Sequence, residues 1–315
     1  MRRGVVPEQS LNDYESTSAQ MITITGKTNL VGLLGQPVNH SLSPIMHNAA
    51  YEEMGLDWCY IAIPCDKKNL KQITTALRLI EFKGLNVTIP HKQEVLKACN
   101  KLTLIANNIQ AVNTLIPEEN NEWLGANTDL EGFLAPLKHH DLIKKNVVVI
   151  GCGGSARAVV MGLNNINVKK ITVIGRNENS LNIFIQNMQK LLQKSDMVIN
   201  GINSKNLSVT PYIEEADLIV NATPIGMNSK TNEEGSIPLG QETWKNLSSK
   251  TILYDLIYTP RPTDWLKLGK QKNCLTIDGL DMLVEQGALS IQLWSGFKDV
   301  PIKIMKSSAE KHLMV

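Results

Sequence analysis

Val147-Val-Val-Ile-Gly-Cys-Gly-Gly-Ser-Ala156 is the stretch that decides the fold. Four apolar residues, three of them Val, run directly into Gly151, Gly153 and Gly154, and a run counted as apolar from Ala156 to Val160 follows. A buried strand, a tight turn and a helix start are the expected result. Gly151 permits the turn, Gly153 lets a pyrophosphate approach the backbone, and the small Ala156 occupies the place where helix and strand pack closely. The helix start offers free N–H groups and the positive end of a dipole to phosphate oxygens. From Gly151 the spacing is G-x-G-x-x-A, a dinucleotide-binding pattern that plain packing can also produce.

The next strand, Lys170-Ile-Thr-Val-Ile-Gly-Arg176, ends about 25 residues past Gly151, near the roughly 20-residue spacing of a ribose-binding position. An Asp or Glu there would accept from the ribose hydroxyls of NAD. This chain has Arg176-Asn177 instead. An arginine can grip a 2′-phosphate through its fork of donors, so the chemistry points to NADP. An ordinary solvated arginine is the competing reading, and Glu178 close by keeps NAD open.

With 315 residues the chain can hold two domains. Its 43% hydrophobic and 20% charged content is that of a globular protein. A net charge of +2 gives no general attraction for nucleic acid or anionic membrane. No stretch approaches the roughly 20 apolar residues that span a bilayer, and no apolar signal core follows Arg2-Arg3. The five cysteines are scattered without C-x-x-C spacing, which fits reduced thiols and a cytoplasmic location. No metal is expected, since His139-His140 stands without nearby Cys or a carboxylate cluster. Residues 1–20 are polar and aperiodic and are expected to be a disordered extension.

Short apolar strands alternate with helical patterns through the rest. Strands are expected at 30–34, 58–63, 85–88 and 111–116, with helices over 42–55, 68–80, 91–96 and 130–138. A second unit has strands at 146–150, 170–174, 197–200, 218–221, 251–256 and 275–277, a helix over 182–194, and a final helix over 280–295. The fold class is α/β with two domains: an N-terminal α/β unit with a mostly parallel sheet, a Rossmann-type unit, and a cleft between them where a small molecule can bind.

Several polar residues break the core pattern. Ser41 and Ser43 stand just before the helix expected from Pro44, where they can cap it or hold a carboxylate. Asn86 and Thr88 share one face of a strand and point toward the carboxyl edge where α/β ligands bind. Lys92, expected in the first turn of the next helix, opposes the dipole there, an inconsistency that suggests a use. Asn113-Thr114 and Asn127-Thr-Asp129 repeat the pattern of short polar groups at strand ends, although Asp129 also suits a helix N-cap.

Gly35-x-Pro-x-x-His-Ser-x-Ser-Pro-x-x-His47-Asn48, Asn86-Val-Thr-x-Pro-x-Lys92, Ala111-x-Asn-Thr114, Asn127-Thr-Asp129, Gly151-x-Gly-Gly154, Asn221-Ala-Thr223-Pro-x-Gly-Met227, Asp255-x-x-Tyr258-x-Pro-x-x-Thr263 and Met282-Leu-x-x-Gln286-x-Ala together resemble the shikimate dehydrogenase family, in order, over residues 28–298. The resemblance implies a substrate domain (21–125 with 278–315), an NADP domain (126–277) and a C-terminal helix returning to the first. It implies reversible NADP-dependent reduction of 3-dehydroshikimate to shikimate. Ser41 and Ser43 would hold the substrate carboxylate. Asn86, Thr88, Asn113, Asp129 and Gln286 would bind ring hydroxyls, Tyr258 would lie near the substrate, and Lys92 would be catalytic with Asp129. Gly151, Cys152, Gly153, Gly154, Ser155, Ala156, Arg176, Asn177, Thr223, Met227, Gly279 and Met282 would form the cofactor site.

Where the family usually has Asn-Arg-Thr and then a basic residue, this chain has Gly175-Arg176-Asn177 with Ser180. The degree of NADP preference is therefore open. An NAD-dependent quinate/shikimate dehydrogenase is one alternative, and a non-catalytic metabolite-binding protein on the same fold is another. The small metabolite is the expected partner, a homodimer is left open, and neither nucleic acid nor membrane is expected.

Overall fold

Each unit is built on a six-stranded sheet. The computed structural model describes residues 23–205, 208–227 and 235–314; the extension expected over residues 1–20 lies outside them. The first sheet contains β1 (Asn29–Gly35), β2 (Trp58–Pro64), β3 (Gly84–Val87), β4 (Lys101–Leu102), β5 (Thr114–Pro117) and β6 (Trp123–Ala126), in the order β2-β1-β3-β5-β6-β4. Three of its five pairings are parallel; β5 runs antiparallel to both its neighbours. The second contains β7 (Asn146–Ile150), β8 (Lys170–Gly175), β9 (Val198–Asn203), β10 (Leu218–Asn221), β11 (Ile252–Asp255) and β12 (Leu275–Ile277), in the order β12-β11-β10-β7-β8-β9. All five of its pairings are parallel.

The helices are α1 (Ser43–Glu53), α2 (Leu70–Leu79), α3 (Leu104–Ile109), α4 (Asp129–Leu134), α5 (Gly154–Asn165), α6 (Glu178–Leu191), α7 (Thr210–Glu214), α8 (Asp264–Gln271), α9 (Leu280–Ser295) and α10 (Ile302–Leu313). None is long and apolar enough to cross a membrane among the described residues. The apolar run at β7 is buried on both faces, as a central parallel strand requires. Val147 and Val149 pack in one core cluster, and Val148 and Ile150 in another. Each such side chain contributes about 1.5–3 kcal/mol through burial, so a polar residue at any of these positions would unseat the turn that follows.

Helices α9 and α10 pack mainly on the first unit, although they follow the second sheet's last strand; Met282 of α9 reaches the second core. Leu280, Val284, Ile291 and Met305 share a core with Val31 and Leu33 of β1 and Met46 of α1. Helix α4 lies between α9 and α5 and couples the two units.

Three local expectations are corrected. No α-helix forms over 91–96; a 3-10 segment, Glu94–Ala98, takes its place. Lys92 therefore sits in a turn before it and opposes no helix dipole, and its carbonyl accepts from the Val112 N–H at 2.7 Å. Residues 111–113 precede β5 rather than belonging to it. Residues 123–126, where no strand is expected, form β6 by pairing with β5. Trp-Leu-Gly-Ala carries no polar–apolar alternation, so tertiary pairing rather than local preference makes the strand.

Candidate active site

The carboxyl ends of β1, β3 and β7 face a common cleft, and two cavities meet there. One, of about 270 Å³, is lined by Ser41, Ser43, Asn86, Thr88, Lys92, Asn113, Asp129, Tyr258 and Gln286 among others. Every side chain expected around the substrate reaches this one cavity, from separated segments of the chain. The second, of about 760 Å³, runs along the glycine-rich turn and is lined by Gly151, Cys152, Gly153, Gly154, Ser155, Arg176, Asn177 and Thr223. Lys92, Ser155 and Thr223 line both. Met227, Gly279 and Met282, expected at the cofactor, line the smaller cavity. Ala156 lines neither; it is fully buried in the core, so it serves by letting helix and strand pack closely rather than by touching a ligand.

Lys92 is the junction. Its Nζ lies 2.6 Å from Asp129 Oδ2 and donates to Ser155 Oγ at 3.3 Å. The side chains are 13% and 4% exposed for Lys92 and Asp129, so the pair is only slightly wetted. Asp129 is the first residue of α4, with Thr128 at the N-cap position. Its backbone N–H donates to Asn127 Oδ1 at 3.0 Å, and Asn127 Nδ2 donates to the Ala111 carbonyl at 2.9 Å. Its other carboxylate oxygen accepts from Asn113 Nδ2 at 2.9 Å. The carboxylate is thus fixed from two sides and holds the ammonium toward the cavity.

Beneath this pair lies a polar layer that joins the expected Asn86, Asn113, Thr114 and Gln286 to two residues the sequence did not mark, Tyr60 and Ser290. Asn86 Nδ2 contacts Ser290 Oγ at 2.9 Å, Thr114 Oγ1 at 3.2 Å and the Asn113 carbonyl at 3.2 Å, and Asn86 Oδ1 accepts from the Tyr60 hydroxyl at 2.8 Å. Both amide hydrogens of Asn86 are engaged, so the second lone pair of Oδ1 is what it offers the cavity. Gln286 Oε1 accepts from Asn113 at 3.2 Å while its Nε2 donates to the Leu283 carbonyl at 2.7 Å. Ser290 lies one turn beyond Gln286 on the same face of α9, a spacing that would have marked it.

Neither serine is the N-cap of α1; that position is Leu42, with no side-chain cap. Ser41 Oγ accepts from the Ser43 N–H at 3.2 Å, and Ser43 lies inside the first turn. The Ser41 hydroxyl also meets Tyr258. Behind them His47 is fully buried, stacked on Tyr60 at 4.1 Å between centroids. Its Nδ1 lies 2.8 Å from the Ser43 carbonyl. Burial lowers its pKa to about 4, so it stays neutral.

Asn221 and Asp255, at the ends of β10 and β11, brace both cavities. Asn221 Oδ1 accepts from Thr223 Oγ1 at 2.7 Å, and its Nδ2 donates to Asp255 Oδ1 at 2.9 Å. Asp255 also accepts from Thr263 Oγ1 at 2.8 Å and from the Ile257 N–H at 3.2 Å. Burial pushes its carboxyl up to about 7, against three donors that favour the ionised form.

The larger cavity suits a dinucleotide. Gly151 has φ +110°, and a Cβ there would meet Thr223 Cγ2 at 2.9 Å. A Cβ on Gly153 would meet nothing within 4 Å, so its backbone faces open space, and one on Gly154 would press on Lys92 Cβ at 3.1 Å. Amide groups at the start of α5 are therefore accessible to a phosphate, and no carboxylate lines this cavity among the described residues.

Comparison with known proteins agrees with this geometry. A model of the shikimate dehydrogenase substrate binding domain matches residues 33–115, and one of the shikimate 5′-dehydrogenase C-terminal domain matches residues 279–310. A shikimate dehydrogenase (NADP(+)) of Prochlorococcus marinus (strain MIT 9301) is 47% identical over 290 residues, 92% of this chain and 100% of that protein. The crystal structure of a shikimate dehydrogenase in complex with NADP+ superposes with a TM-score of 0.81 at 34% identity, covering 92% of this chain and 98% of that one. The Thermus thermophilus enzyme in complex with NADP(H) and shikimate gives a TM-score of 0.76 at 30% identity, covering 90% and 99%.

Proposed function

With a relative this similar over nearly its whole length, the chain belongs to the shikimate dehydrogenase family, and we propose that it interconverts 3-dehydroshikimate and shikimate with NADP in the cleft between its two sheets. The observation that carries this reading is the convergence of the nine polar side chains expected at the substrate on one cavity that opens, at Lys92, onto the glycine-rich cavity. Residues 21–125 with 278–315 act as the substrate domain and 126–277 as the cofactor domain.

Bound NADPH supplies the hydride. The amides of Gly153, Gly154 and Ser155 would hold its pyrophosphate and Arg176 its 2′-phosphate, with Asn177, Thr223, Met227, Gly279 and Met282 completing the wall. Ser41 and Ser43 bind the substrate carboxylate. Asn86, Thr88, Asn113, Asp129 and Gln286 receive the ring hydroxyls, and Tyr258 closes that side. Lys92 Nζ gives a proton to the ketone oxygen as the carbon is reduced, and takes it back in the reverse direction. Its positive charge also stabilises the developing alkoxide, and Asp129 keeps the ammonium aimed there. The protein would work in the cytoplasm on a free metabolite, without nucleic acid; sedimentation of the purified protein reads whether it does so as a homodimer.

Steady-state rates with shikimate or quinate, each with NADP+ or NAD+, test the reading. Shikimate with NADP+ is expected to give the highest kcat/KM. Higher values for quinate with NAD+ would make the chain a quinate/shikimate dehydrogenase. Tight shikimate binding without turnover would make it a binding protein.

A further inference from the structure

We propose that Arg157 is a second cation of the cofactor site and grips the 2′-phosphate of NADP together with Arg176. This rests on the NADP reading above. Arg157 projects from α5 and is 6% exposed, yet its Nε and Nη1 are buried without a hydrogen-bond partner among the described residues. A buried guanidinium with unused donors is costly to a folded protein unless something meets them. No side chain among the described residues hydrogen-bonds them, and Arg157 lines the same cavity as Arg176, Asn177 and Ser180.

Its location selects one phosphate. The guanidinium carbon stands 5.4 Å from the centre of the Phe184 ring, so the group lies against α6. The N-terminus of that helix follows Arg176 and Asn177, the end of β8 where an adenosine ribose is met. The pyrophosphate has its own donors in the amides at the start of α5. Arg176 is solvent-exposed, whereas Arg157 is held by packing, and Ser180 beside them is neutral. Two guanidinium groups and no carboxylate therefore line this end of the cavity among the described residues. That arrangement suits a phosphomonoester and leaves the two ribose hydroxyls of NAD without a carboxylate acceptor.

The test compares ligands that differ only in that phosphate. Dissociation constants of NADP+, NAD+, 2′,5′-ADP and 5′-ADP are measured by calorimetry for wild type, Arg157→Met and Arg157→Lys. Arg157→Met is expected to weaken NADP+ and 2′,5′-ADP roughly tenfold or more, the loss of a charge-assisted contact. NAD+ and 5′-ADP should change by less than about twofold, since neither carries the group in question. Arg157→Lys, which keeps the charge but not the fork, should restore part of the NADP+ affinity; should the Met variant not fold, the Lys variant carries the same comparison through its selective loss against wild type. The ligand-free Met variant should melt no lower than wild type, because it removes an unpaired buried charge. Equal losses for NADP+ and NAD+, or unchanged affinities, would overturn the assignment. Wild-type protein that binds no NADP+ at all would refute the cofactor reading itself, a result visible before any variant is made.

Discussion

Removing either member of the Lys92–Asp129 pair should show that the two act as one unit. In Lys92→Ala the proton donor is lost, and a positioned general acid contributes about 10²- to 10⁴-fold. The kcat for shikimate oxidation with NADP+ should therefore fall at least ~10²-fold, or about 2.7 kcal/mol at 1.36 kcal/mol per decade. KM should change little, because the interaction is used mainly in the transition state. Asp129→Asn keeps the shape and the Asn113 contact but removes the charge that aims Nζ from 2.6 Å, so a smaller fall in kcat is expected. The double variant should be about as slow as Lys92→Ala alone, because aiming matters only while there is an ammonium to aim. Denaturant melts accompany the kinetics, since Asp129 is 4% exposed and loses a partner; a stability loss of up to about 3 kcal/mol is expected in Lys92→Ala. A Lys92→Ala enzyme with near-normal kcat, or two defects that simply multiply, would refute the reasoning.

Arg176→Gln should raise KM for NADP+ by the equivalent of about 1.5–3 kcal/mol while leaving KM for NAD+ nearly unchanged; equal damage with both would assign Arg176 a structural role. Ser41→Ala and Ser43→Ala should each weaken shikimate binding in a titration while the melting temperature moves by less than a lost cap of about 1 kcal/mol would cause, given that neither serine is the cap of α1; unchanged affinity in both would remove the carboxylate assignment. His47 is a base whose pKa falls from the ordinary 6.5 to about 4 on folding. Between those values the unfolded chain holds the proton and the native one does not, so this contribution is complete above pH 6.5 and is lost as pH falls toward 4, by up to roughly 3 kcal/mol. Asp255, raised to about 7, acts with the opposite sign, stabilising as pH falls through 7. His47→Gln should therefore flatten the acid limb of stability relative to wild type, and identical limbs in melts at stepped pH would show that His47 does not carry it.

What could be read in the sequence was whatever is enforced locally. Strands β7, β10 and β12 and helix α9 are found at the expected residues. Each is an apolar run or stripe whose ends are marked by glycine or polar groups, so the element and its limits follow from the same residues. Strand β4 is two residues long and β6 follows no alternation; both exist because β5 and β6 offer them partners, a long-range fact. Asn86, Thr88, Asn113 and Asp129 were legible because short polar groups at strand ends have no packing use; Tyr258 and Gln286 followed only from the resemblance to a known family. Tyr60 and Ser290 were missed because each is one polar atom on an otherwise apolar face, a pattern an isolated core side chain also gives. Arg157 was counted within an apolar run, and only its burial without partners distinguishes it from a surface arginine.

The two cavities depend on each other more than separate motifs would suggest. Lys92 belongs to the first unit, yet it bonds Ser155 at the start of α5, and any side chain at 154 would press on its Cβ. In the proposed reaction, the turn that would approach the cofactor is therefore also what positions the proposed proton donor. On the opposite wall one carboxylate, Asp255, braces Thr223 through Asn221 and fixes the Ile257 amide next to Tyr258. A shift of the β10–β11 ends would move a proposed cofactor contact and a proposed substrate contact together. Hydride transfer requires two molecules to be held face to face within a fraction of an ångström. Tying each wall to a shared side chain meets that requirement without a wholly rigid cleft, because error in one half is carried into the other instead of accumulating between them.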